Sequence, residues 1–160
     1  MAAAVRLEPS TPDPELDLMR RAFQGLARDA GVVGELAIAR RSTEGLCIEG
    51  STPVVPVLLD GRGVLVGPVR RGAPGCPCCA IARRTQHGLG SGLVGPDHVL
   101  VARGRTMTAA TAWLVALQAL VLLQTPEDGR SALREVDPRT ATVRSWRLIP
   151  DEECHCAVDH

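Results

Sequence analysis

Two close pairs of cysteines, Cys76 with Cys79 and Cys154 with Cys156, constrain this chain more than any other feature. Cys76-Pro77-Cys78-Cys79 closes a Gly/Pro turn running from Gly72 to Pro77. That spacing lets two sulfurs converge on one tetrahedral ion at about 2.3 Å each. Cys154-His155-Cys156 offers the second pair. The two pairs complete one four-thiolate site only if the chain returns on itself, a tie that would hold a tail otherwise prone to fray. Four thiolates leave no position open for water, so a Zn2+ held by Cys76, Cys79, Cys154 and Cys156 would be structural. Cys78, His155 and His160 are each able to substitute as a ligand.

The N-terminal stretch MAAAVRLEPSTPDPE shows no basic segment followed by an apolar one, so no secretory signal is visible. The cysteines are therefore expected in a reducing, cytoplasmic compartment, where clustered thiols bind metal or do redox chemistry more often than they form structural disulfides. The redox alternative is a thiol-disulfide oxidoreductase. Cys-Pro-x-Cys after the strand-like Val64 to Val69 and before the helix-like Ala80 to Arg84 resembles a glutaredoxin-type site, and a helix N-terminus would lower the thiol pKa. It leaves the second pair, Cys154 and Cys156, without a role.

Residues 1–14 carry Pro9, Pro12 and Pro14 and read as a flexible arm, followed by a single domain over 15–160. From Glu15 to Ala30, Leu16, Met19, Phe23 and Leu26 recur at helical spacing, with Gly31 as a stop and Asp13, Glu15 and Asp17 as capping charges. Strand-type runs follow at Glu35 to Ala39, Leu46 to Glu49, Val54 to Leu59 and Gly63 to Val69, the last two a candidate hairpin, and Val99 to Ala102 is a further short strand. Thr106 to Gln124 is a helix apolar almost all round, hence central or an oligomer interface. Its apolar core, Ala109 to Leu123, falls short of the roughly 20 residues that span a bilayer. Ala132 to Val136 and Ala141 to Leu148 flank Asp137-Pro138-Arg139-Thr140 as a closing hairpin. The pattern is that of an α/β domain.

A net charge of zero supplies no field for a phosphate backbone, and Phe23, Trp113 and Trp146 are the only aromatic residues, too few for base stacking. Neither nucleic acid nor membrane is expected as a partner. Gly90-Ser91-Gly92-Leu93-Val94-Gly95 matches G-x-G-x-x-G, but Pro96 stands where a helix should begin, so a loop is expected rather than a nucleotide site. Cys47 reads as a small core residue, and His87 and His98 as solvated side chains.

With these motifs placed, Val54 to Arg84 and Ala132 to Ala157 resemble the ThiF-like, ubiquitin-activating-type domain of azoline-forming cyclodehydratases, the systems that build thiazole and oxazole rings in ribosomally synthesised peptides such as bacteriocins. The resemblance rests on Val66-Gly67-Pro68, on Cys76 to Cys79 followed by Arg83, on the helix 106–124, and on Val136-Asp137-Pro138-Arg139-Thr140 leading to Ile149-Pro150-Asp151 and Cys154-x-Cys156. It implies a truncated ThiF-like half with a small mixed sheet, a central apolar helix and a four-cysteine zinc knuckle. It further implies an accessory subunit with no catalytic residues of its own, which docks a YcaO-type enzyme or presents the precursor peptide while the YcaO partner spends ATP. The winged-helix module and the nucleotide-binding first half of the family pattern are not seen, so the resemblance does not extend to leader binding by this chain alone. A homodimer through the 106–124 helix, or a plain zinc-stapled interaction module, are the remaining readings.

Overall fold

The computed structural model describes residues 5–7, 13–40, 52–59, 63–70, 76, 78–80, 107–126 and 132–148. Their elements run β1 (Val5–Leu7), α1 (Pro14–Asp29), β2 (Glu35–Arg40), β3 (Val54–Leu59), β4 (Val64–Val66), α2 (Ala109–Gln124), β5 (Ala132–Asp137) and β6 (Thr142–Arg147). The six strands form one mixed sheet in chain order. β1, β2 and β3 are parallel, and β3 to β6 are antiparallel. This is the α/β class expected, with the small mixed sheet and the central apolar helix.

Local chemistry sets the helix ends. Asp13 caps α1, its carboxylate accepting from the Glu15 and Leu16 N–H groups at 3.0 and 3.4 Å, with Pro14 in the first turn where no donor is lost. Gly31 follows the helix at φ +64°, a left-handed conformation that glycine adopts without a Cβ penalty. Thr108 caps α2 through its hydroxyl, which accepts from Thr111 N–H at 3.1 Å. Glu15 adds a bond that spacing does not reveal, accepting the Met107 N–H at 2.8 Å and so joining the starts of the two helices. Val5–Leu7 lies inside the segment expected to be a loose arm, yet it pairs with Leu36 to Ile38 as the outermost parallel strand. Three residues carry too little pattern for period-2 alternation to register.

Alternation along each strand divides the core between two sheet faces. One face presents Leu36, Ile38, Val55, Val57, Val64, Val66 and Val136 to α1 and α2, which add Met19, Phe23, Val115 and Leu122, all buried. Val57 lies opposite Val66 in one row, and Val64 lies between Leu59 and Val136 in the next, so paired aliphatic side chains line the sheet under the helices. Gly67, in the Val66-Gly67-Pro68 run, has φ +90°, and a Cβ there would stand 2.8 Å from the Ala132 carbonyl oxygen. Only glycine lets β4 leave the sheet so close to β5.

The expectation that α2 is too apolar for a solvated surface is met over most of its circumference. Leu120 and Leu123 are buried against the sheet and α1, while Trp113 and Leu117 remain 48% and 43% exposed. Arg134 donates to the Gln118 side chain, and Thr111 to the Pro138 carbonyl at 3.4 Å, which ties α2 along β5. No helix among the described residues is long and apolar enough to cross a membrane.

Candidate metal centre

Among the described residues, the second sheet face carries a smaller buried cluster. Ala37, Ala39, Val54, Leu58, Leu65 and Leu133 point away from the helices, and Cys76, Cys79 and Ala80 cover them. Residues 78–80 are helical, and Ala80 N–H donates to the Cys76 carbonyl at 3.1 Å. One helical turn thus begins at Cys76, which brings side chains three apart onto the same side.

Cys76 and Cys79 are both fully buried, and their sulfurs stand 3.8 Å apart. A disulfide requires about 2.05 Å, so the contact is between two thiols and not a disulfide. Two thiolates at about 2.3 Å from one ion, at the tetrahedral angle, are themselves separated by about 3.8 Å. The observed separation fits a thiol S–H···S hydrogen bond between the two cysteines and equally two corners of a tetrahedral thiolate site. Cys78 is half-buried and packs at the margin of the same cluster.

Cys154 and Cys156, with the substitute ligands His155 and His160, lie outside the described residues. So do Cys47, Arg83, His87, His98, the Gly90 to Gly95 run and the strand-type runs Leu46 to Glu49 and Val99 to Ala102. Among the described residues no group of three or more His, Cys, Asp and Glu side chains comes together. One residue that spacing left without a role belongs to this site. Leu148, read as the end of a strand, is buried in the same cluster as Cys76 and Cys79. Strand alternation hints at it, since Leu148 continues the side of β6 that holds Trp146, opposite Leu133.

On the hairpin turn between β5 and β6, Asp137 accepts the Arg139 backbone N–H at 2.8 Å and lies 3.5 Å from its guanidinium. The backbone bond first, and the nearby charge second, hold the carboxyl below the usual carboxylate range.

No protein-family model and no curated protein matches the sequence. Among solved structures, the fold is similar to a chain of the E. coli microcin synthetase McbBCD complex, with a TM-score of 0.60 and 10% identity over 96% of this chain and 68% of that one. A heterocyclase in complex with substrate and cofactor aligns at a TM-score of 0.44 and 14% identity, covering 95% of this chain and 24% of that one. E. coli MccB with succinimide aligns at 0.46 and 10%, covering 78% and 40%. This chain thus spans about a quarter and two fifths of those two proteins. The first comparison shows a shared fold.

Proposed function

We propose that this chain is a zinc-containing, non-catalytic subunit of a multi-subunit system that forms azoline rings in a ribosomally synthesised peptide, working in the cytoplasm. The observation that carries this reading is the fold shared across nearly the whole chain with a component of microcin synthetase. The ThiF-like motifs at Val66-Gly67-Pro68, Cys76 to Cys79 and Asp137-Pro138-Arg139-Thr140 agree with it.

Zn2+ is the structural cofactor in this proposal, held by Cys76, Cys79, Cys154 and Cys156. The 3.8 Å sulfur separation fits one half of that site. Leu148 fits the other, because it anchors β6 in the cysteine cluster. From there Cys154 is six residues away, an extended reach of about 20 Å. When bound, the ion ties the knuckle to the tail. Burial of both sulfurs in an aliphatic cluster disfavours the oxidoreductase alternative, since a thiol that attacks disulfides must be accessible. The partners are a YcaO-type enzyme, which supplies the ATP-dependent activation, and the precursor peptide.

The test is reconstitution of ring formation, read by mass spectrometry as loss of one water per ring. The YcaO-type enzyme and precursor from the same gene neighbourhood should form rings with this chain present and stall without it. Ring formation that is indifferent to the chain would overturn the role. Separately, purified protein should hold about one zinc per chain and lose it on Cys154→Ser. Full stability of a metal-free preparation would overturn the zinc assignment alone.

A further inference from the structure

β6 is the outermost described strand on its side of the sheet, and all six of its residues are exposed. It pairs with β5 in unbroken register from Thr142 to Arg147, without a bulge, and contains neither Pro nor Gly. A regular edge of this kind, carrying exposed Val143 and Trp146, is a template for another strand unless something blocks it. Its only charges are Arg144 and Arg147. Those two arginines decide which strand can add.

We infer that β6 pairs antiparallel with β6 of a second copy of this chain, on a two-fold axis at Ser145. Directly opposed residues in an antiparallel pair share a face. A two-fold axis perpendicular to the sheet therefore permits only registers centred on a residue. Centring on Arg144 sets Arg144 against Arg144, a like-charge pair that destabilises. Centring on Trp146 leaves only Ser145, Trp146 and Arg147 paired within the strand. Centring on Ser145 pairs Val143 to Arg147, with no like charges opposed. It sets Arg144 against Trp146 twice, by symmetry, and Arg147 against Val143 twice. An arginine over an indole face is favourable, more so as the contact is desolvated. The guanidinium that would repel a partner in one register is thus the complement of the partner's Trp146 in another. The two sheets join edge to edge, and neither helix layer takes part.

The inference does not rest on the zinc or ring-forming proposals, because none of the residues it pairs is a cysteine and its test reads assembly alone. The full chain is followed by light scattering across a dilution series, with Trp146→Arg, the double swap Arg144→Trp/Trp146→Arg, and Leu117→Arg. Trp146→Arg faces Arg144 of the other copy and should weaken dimerisation at least about tenfold. The double swap recreates both pairs and should restore it. Ser145→Cys places two thiols opposite each other across the axis, so mild oxidation should cross-link it as a dimer, whereas the parent chain and Val143→Cys should cross-link far less. A chain that stays monomeric throughout the series overturns the inference. So does a dimer indifferent to Trp146→Arg, or one dissolved by Leu117→Arg instead, which would place the interface on α2.

Discussion

Between the helices and the sheet, Phe23, Met19 and Leu122 pack on Val55, Val57, Val64, Val66 and Val136, and Thr111 is the one polar residue buried among the described residues. The opposite face is covered by Cys76, Cys79, Ala80 and Leu148 over a smaller set of alanines, leucines and one valine. The first face is closed by two 16-residue helices, each of which buries several side chains. Among the described residues, the second is covered by a short turn that brings two thiols and by Leu148. Burial of aliphatic area scales with the area removed from water, so among the described residues the helix face supplies the larger share of the hydrophobic stabilisation.

The largest effect expected from breaking this contrast is at Phe23, the bulkiest fully buried side chain. Phe23→Ala should cost about 3–5 kcal/mol in chemical denaturation, through lost burial and an unfilled cavity. It should also keep the parent's response to zinc and chelator, because the damage is confined to the helix face. Cys79→Ser should cost less by itself, about 1–3 kcal/mol for an imperfectly paired buried hydroxyl. Its melting temperature should then be the same with added zinc as with chelator, while the parent's falls on chelation. If Phe23→Ala rather than Cys79→Ser abolishes the zinc response, the two faces are not separable as described.

Asp13→Ala removes the α1 cap and should destabilise by about 1 kcal/mol, with Asp13→Asn recovering most of it. Equal losses in the two variants would show that charge, not the hydrogen bond at 3.0 Å, holds the helix start. The smallest effect belongs to the β5–β6 turn. Asp137 has a lowered folded-state pKa, so its contribution is present above the ordinary carboxylate range and is lost as pH falls through the folded value. Asp137→Asn should therefore differ from the parent at neutral pH and converge with it in acid. A difference that persists unchanged at low pH would rule out the ionised carboxylate as its source.

The sequence by itself determined a good deal. Helical spacing of Leu16, Met19 and Phe23 defined α1, the apolar run defined α2, and Val54 to Leu59 is a strand to the residue. These features are local, because periodicity records which side of an element faces apolar matter. The Cys-x-x-Cys spacing likewise marked Cys76 and Cys79 as a pair that can converge, since four residues of turn suffice to bring two sulfurs together.

What only the tertiary structure decided involves residues far apart in the chain. β1 exists because Leu36 to Ile38 offer it an edge, not because three residues prefer to be extended. Glu15 and Met107 meet across 92 positions, and nothing in either neighbourhood announces the other. Which leucines of an all-apolar helix are buried was equally hidden. Leu120 and Leu123 face the sheet and Leu117 faces solvent because α1 and β5 fix the rotation of α2, through Glu15 at its start and Arg134 at Gln118. Leu148 joined the cysteines for the same reason, since the register of β5 and β6 decides which face a strand's last residue reaches. Pattern specifies an element's apolar side, but the free energy that selects among rotations, registers and neighbours comes from contacts formed only when distant segments pack.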